Sequence, residues 1–152
     1  MLFRSLPRIP IYVDSPLSAK ASDIYTRFRD ILRPDLNATL CGGERPFEMG
    51  NLTYITDVNE SKKLNDRKEP MIIISASGMA EAGRIRHHLA NNIGDQKNLL
   101  LFIGYCAEGT LGSQLTHGKS PVNIFGEPHE VKAKVVSIDT YSGHADRGEL
   151  KR

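Results

Sequence analysis

The chain has 152 residues, 39% of them hydrophobic and 25% charged, and a net charge of +2 from 20 Lys and Arg against 18 Asp and Glu. That length supports one domain with a real core rather than two, and the near-neutral charge neither demands nor excludes a polyanionic partner. Two cysteines, Cys41 and Cys106, form no metal-ligand spacing and no disulfide framework, and no apolar run is long enough to cross a bilayer, so the expectation is a reduced, cytosolic protein away from membranes.

In chain order, Ile9-Pro-Ile-Tyr-Val13 reads as a short buried strand ended by the turn Asp14-Ser15-Pro16. A helix is predicted from about Ser18, because Ala21, Ile24, Tyr25, Phe28, Ile31 and Leu32 form one apolar stripe before Arg33-Pro34 stops it. Residues 35–51 carry Gly42, Gly43, Pro46 and Gly50 and read as irregular. A strand is predicted over 52–56, then a short charged helix over 60–65 with Asn59 as its cap.

Met71-Ile-Ile-Ile-Ser75 is apolar throughout, the pattern of a strand covered on both faces of a parallel sheet. A tight connection, Ala76-Ser77-Gly78-Met79, leads to a helix predicted over 81–92 and stopped by Gly94. Residues 98–103 repeat the buried-strand pattern, 104–109 form the next connection, and 110–115 form a second short helix. Residues 131–138 alternate and carry two lysines, which fits an edge strand or one leading out of the domain. Strands alternating with helices give an α/β class with a parallel, three-layer sheet.

In such sheets ligands bind beyond the carboxyl ends of the strands. Three turns are expected there: Asp14-Ser15, Ser77-Gly78-Met79 and Gly104-Tyr105-Cys106. If the second runs straight into a helix, its backbone N–H groups and the positive helix end favour an anion, and Arg84 offers a fork of donors to a phosphate. A plain strand-to-helix turn is the competing reading. His87 and His88 are adjacent on a helix and point about 100° apart, so they cannot share one ligand and one should be exposed. His117 and His129 fall in loops without partner spacing, and Cys106 reads as a small buried thiol. Near the C-terminal end, Ser142-Gly143-His144-Ala145-Asp146 follows a strand and sets an imidazole, able to donate a proton near neutral pH, at its exposed tip.

Four ordered blocks carry a resemblance that covers nearly the whole chain: Pro10-Ile-Tyr-Val-Asp-Ser-Pro-Leu17, Ile73-Ile-Ser-Ala-Ser-Gly-Met79 with Gly83-Arg84, Phe102-Ile-Gly-Tyr-Cys-Ala-Glu-Gly-Thr-Leu111, and Tyr141-Ser-Gly-His-Ala-Asp146. Together they resemble the β-CASP region of metallo-β-lactamase-fold nucleases, the family of ribonuclease J and of the endonuclease of pre-mRNA cleavage and polyadenylation. The resemblance implies a β-CASP α/β domain over 1–130, and over 131–152 a strand and loop leading back toward a metallo-β-lactamase domain.

By the same resemblance His144 matches the histidine that contacts the scissile phosphate and assists the leaving group. Ser142, Gly143, Ser77, Gly78, Met79 and Arg84 match positions along the phosphate path. The family's two zinc ions need an His-x-His-x-Asp-His run, and none of the five histidines here forms one. The family's upstream acidic motif is also absent, and its histidine downstream of His144 would fall beyond Arg152. The chain therefore resembles a fragment lacking most of the metallo-β-lactamase domain: a nucleic-acid clamp with one catalytic histidine and no metal ligands of its own. RNA stands ahead of DNA as partner, the fragment alone should be inactive, and an apolar seam left by the missing domain would favour a homodimer. The alternative is a stand-alone α/β domain binding a nucleotide or a phosphorylated small molecule, although no Gly-x-Gly-x-x-Gly or Walker sequence is present.

Overall fold

The structure is a computed structural model that describes residues 9–28 and 50–138. The chain divides into two compact units, Met1–Ser75 and Ala76–Arg152.

The first unit is built on β1 (Ile11–Val13), α1 (Pro16–Arg27), β2 (Leu52–Tyr54), α2 (Val58–Leu64) and β3 (Ile72–Ile74). Its three strands lie in the order β2-β1-β3, all parallel, with Ile11 opposite both Leu52 and Ile72. Helices join each strand to the next, as parallel pairing requires. Tyr12, Ile55 and Leu64 form the core, with Met71 and Ile73 packed on it. Arg67 covers that core from one side: it donates to the Tyr12 hydroxyl at 2.7 Å and lies 5.1 Å from the ring centroid.

Helix α1 begins at Pro16, not Ser18, because Ser15 is extended and its hydroxyl accepts the Ser18 N–H at 3.2 Å, leaving proline at the first helical position. The cap of α2 is Asp57, not Asn59: one Asp57 carboxylate oxygen accepts the N–H groups of Asn59 and Glu60 at 2.8 and 3.0 Å. The apolar stripe of α1 is not buried, since Ile24, Tyr25 and Phe28 are each more than half exposed. The continuation of that stripe at Ile31 and Leu32, and the stretch 35–49 read as irregular, lie outside the described residues. Strand β3 is covered on one face only: Ile73 packs inward while Ile72 and Ile74 stay exposed.

The second unit contains α3 (Ile85–Asn92), β4 (Leu99–Ile103), α4 (Leu111–Thr116), β5 (Val122–Ile124), β6 (Glu127–His129) and β7 (Lys134–Ile138). Strands β4 and β7 pair in parallel, Leu99 opposite Lys134 and Ile103 opposite Ile138, so the alternating 131–138 segment is a paired strand of this unit. The β5–β6 hairpin was not anticipated, and it moves His129 from a loop into a strand. Ala80, Leu89, Ile93, Phe102, Leu111, Leu115, Val122, Ile124 and Ala133 form the core. Leu115 and Ile124 have no exposed surface, and burying each such side chain stabilises the fold by about 1.5–3 kcal/mol. As in β3, period-2 alternation leaves Leu99, Leu101 and Ile103 on the uncovered face of β4. The α/β class with parallel sheets holds, with an antiparallel hairpin added.

Candidate functional site

The turn that follows β3 is the best-defined candidate site. It opens with a cis Ala76–Ser77 peptide. The Ala80 N–H donates to the Ser77 carbonyl at 3.0 Å, closing a turn around Gly78 and Met79. Ala80 completes it in the left-handed region, φ 59°, with its methyl group fully buried in the core. Three residues later Gly83 has φ 80°, and a Cβ there would lie 3.0 Å from the Ala76 carbonyl oxygen. Glycine is required on both counts.

This geometry corrects one expectation. Ser77-Gly78-Met79 does not run directly into a helix, because Gly83 in the left-handed region breaks helical propagation and α3 starts only at Ile85. Arg84 is the N-cap of α3, itself helical in dihedrals, and its carbonyl accepts the N–H groups of His87 and His88. The Arg84 side chain is half-buried, and makes no capping hydrogen bond.

The helix end that does face this turn belongs to α4, and protein groups close it. Leu111 donates its N–H to the Glu81 carboxylate, Gly112 donates to the Met79 carbonyl at 2.8 Å, and Ser113 donates to the Thr110 hydroxyl at 3.2 Å. These are the orphan donors that a helix start leaves open. Glu81 therefore stands where an external anion would otherwise be drawn, at the positive end of the helix. Fixed from below in this way, the turn offers Gly78 and Met79 at the surface and Ser77 half-buried beside them.

Cys106 joins the same arrangement, its Sγ 3.5 Å from the Gly78 carbonyl oxygen. Its thiol is half-buried rather than fully enclosed as expected. Two of the three expected turns thus meet within the second unit. Asp14 and Ser15 belong to the first, where Ser61 Oγ donates to Asp14 Oδ2 at 2.6 Å and both residues are buried. His87 and His88 diverge as their spacing predicts, the first exposed and the second buried. His117 closes α4, with Nδ1 2.7 Å from the Ser113 carbonyl oxygen. Ser142, Gly143 and His144 lie outside the described residues, as does Cys41.

Sequence reasoning missed Glu81 and Gly112, since neither a lone glutamate nor a glycine near a helix start announces a partner some 30 residues away. It also missed Arg86 and Phe125. Gly126 was the one turn signal there, and Phe125 ahead of it is not a residue that such a two-residue turn ordinarily takes.

No three His, Cys, Asp or Glu side chains converge on a possible metal position among the described residues. A zinc site needs three or four such ligands, so the described residues do not by themselves fit one. Nor is any described helix long and apolar enough to cross a membrane.

Two family models match the chain in succession: the Beta-Casp domain over residues 2–115, and the Zn-dependent metallo-hydrolase RNA specificity domain over residues 128–152. Among curated relatives, ribonuclease TTHA0252 of Thermus thermophilus is 36% identical over 145 residues, covering 95% of this chain and 34% of its own length. The RNase J-like protein of Methanocaldococcus jannaschii is 35% identical over 144 residues, 95% of this chain and 32% of its own length. Transcription termination factor FttA of the same organism is 31% identical over 147 residues, 93% of this chain and 23% of its own length. The chain therefore spans about a third or less of the length of these relatives.

Proposed function

Because the chain belongs to the Beta-Casp domain family, we propose that it is the RNA-clamping segment of a zinc-dependent ribonuclease. The observation that carries this reading is the succession of the two family matches, a Beta-Casp domain followed by an RNA specificity domain of metallo-hydrolases, together with relatives named as ribonucleases. The geometry supports it by holding Ser77, Gly78 and Met79 in a fixed, outward-facing turn with Arg84 at the start of the next helix. A preset main chain and a guanidinium suit a phosphodiester backbone, whose charge and repeat do not depend on sequence.

In this reading His144 contacts the scissile phosphate and protonates the leaving oxygen, a task matched to an imidazole's titration range. Zinc, held by a metallo-hydrolase region of the whole protein, would supply the nucleophile and charge neutralisation. No ligand set for it converges among the described residues, and in this reading the chain by itself binds RNA without cleaving it.

The test is a titration of the 152-residue chain with labelled RNA and DNA single strands and with an RNA duplex, in parallel with a cleavage assay containing zinc. Saturable RNA binding without cleavage is the expected result. Chelator-sensitive cleavage by the pure chain would overturn the assignment of the zinc ligands. Protection against heat by a mononucleotide but not by RNA would favour the small-molecule alternative.

A further inference from the structure

Phe125 occupies the first position of the two-residue turn joining β5 to β6, with φ 55°, and Gly126 follows at 87°. Turns with both central residues in the left-handed region prefer Asn or Gly at this first position. A side chain bearing Cβ is strained there, and a bulky ring is an outlier. The Phe125 ring is nevertheless 51% exposed.

Two residues of α3 meet that ring. The Arg86 guanidinium carbon lies 4.4 Å from its centroid, and the exposed His87 imidazole lies 4.6 Å from it at an interplanar angle of 35°. Arg86 has no carboxylate partner among the described residues. Its Nη1 reaches the Glu81 carbonyl oxygen only at 3.5 Å, and its buried Nε has no hydrogen-bond partner among them. An anchor whose sole task was to pin the hairpin to α3 would bury the ring, and it would need no unneutralised cation. Here three flat groups meet at the surface, and the Arg86 charge has no acidic side chain paired with it among the described residues.

The geometry points to Arg86, His87 and Phe125 as a stacking platform for an unpaired base of single-stranded RNA, with the spare Arg86 donors directed to an adjoining phosphate. This inference rests on the RNA-binding reading above and adds a base contact distinct from the Ser77–Arg84 turn. Aromatic and guanidinium planes accept any base through its π-face, so the contact should tolerate sequence. A paired base in a duplex has no free face to offer.

The experiment compares the 152-residue chain with Phe125→Asn and Phe125→Tyr, using an oligoribonucleotide that carries 2-aminopurine and an abasic strand of equal length. Asn suits the left-handed turn, so the melting temperature should hold while the ring is lost. Wild type and Phe125→Tyr should quench 2-aminopurine on binding. Phe125→Asn should bind the base-bearing strand on the order of fivefold or more weakly, without the quench, and should bind the abasic strand as wild type does. If Phe125→Asn fails to fold, Phe125→Leu, which keeps apolar bulk against α3, carries the same readings. A folded Phe125→Asn or Phe125→Leu that binds and quenches like wild type overturns the platform and leaves the RNA reading standing. A wild-type chain that binds neither strand overturns both.

Discussion

Gly112 donates its backbone N–H to the Met79 carbonyl at 2.8 Å, and a Cβ on Gly112 would lie 2.9 Å from that same oxygen and 2.9 Å from Cys106 Sγ. The hydrogen bond and the missing side chain are two aspects of one contact. Only a residue without Cβ lets the first turn of α4 approach the main chain of the Ser77–Ala80 turn closely enough to cap on it. The surface on which Ser77, Gly78 and Met79 stand is therefore set by a glycine in another element.

Gly112→Ala tests this directly. Alanine in a helix is ordinarily favoured over glycine by about 1 kcal/mol, but here the obstructing atom is a backbone oxygen with no freedom to swing aside. Overpacking of this kind costs about 1–3 kcal/mol, so the contact decides the sign. Thermal unfolding should show a lower melting temperature for Gly112→Ala. Gly78→Ala, where a Cβ meets nothing within 4 Å, should melt close to wild type. Equal melting of the two variants would show that α4 does not depend on this approach.

Glu81 is the second constraint on α4, through its carboxylate on the Leu111 N–H. Glu81→Gln keeps an acceptor and removes the charge at the helix start, and should cost about 0.3–1 kcal/mol. Glu81→Ala removes both and should cost about 0.5–2 kcal/mol, in the range of a lost N-cap. Urea denaturation of the three proteins should rank wild type above Gln above Ala. A variant with Ala as stable as wild type would remove Glu81 from the account of the turn.

Much of this was legible in the sequence because it is local. The run at 98–103 and the alternation at 131–138 each carry their own period, and β4 and β7 fall there, while the short helix read over 110–115 is α4 with Thr110 as its cap rather than its first residue. What failed depends on partners far along the chain. Residues 81–84 have helical composition, yet Gly83 adopts φ 80° because its missing Cβ makes room for the Ala76 carbonyl. The uniform isoleucines of β3 and leucines of β4 say that both faces tolerate burial, but not that both are covered, and one face of each is not. The β5–β6 hairpin was obscured by a phenylalanine at a position that ordinarily takes Asn or Gly, and by Pro128 within β6. For the candidate site, the turn at 77–79 was found from sequence, whereas its supports, Glu81 and Gly112, were not.

In the first unit, Ser61 on α2 holds the Asp14 carboxylate at the end of β1 through a 2.6 Å hydrogen bond between two buried side chains. Removing the donor of a buried hydrogen bond leaves its acceptor unsatisfied, at a cost of about 1–3 kcal/mol. Ser61→Ala should therefore destabilise the chain by that order in chemical denaturation, with RNA binding unchanged per folded molecule. A loss below about 0.5 kcal/mol would mean that another donor replaces the hydroxyl.

Arg84→Ala addresses the phosphate path. Arg84 caps α3 with its backbone and not its side chain, so truncation should leave the helix start intact. With a net charge of only +2, few phosphate contacts are available and each carries a visible share of the salt dependence. Affinity for single-stranded RNA should fall, and the slope of log K against log salt should flatten by roughly 0.7, the value for one neutralised phosphate on a single strand. An unchanged slope in a folded Arg84→Ala would place the phosphate path elsewhere.

His144 requires a protein in which this chain is joined to a zinc-bearing metallo-hydrolase domain. If its imidazole protonates the leaving oxygen, His144→Ala removes an interaction made mainly in the transition state, and single-turnover cleavage should slow by about 10²–10⁴-fold. Zinc content measured on the same samples should stay at the wild-type level, because no ligand role is assigned to this residue. The pH profile carries a second reading. A general acid must be protonated to act, so the wild-type rate should decline as pH rises through the imidazole's titration range, and His144→Ala should lose that limb. His87→Ala, on the exposed side of α3, and His88→Ala, in its buried face, should both keep the wild-type pH dependence, since neither is given a proton to move. A His144→Ala enzyme that cleaves at the wild-type rate, or that loses its zinc, would show that the histidine of the Ser142–Asp146 segment serves another purpose.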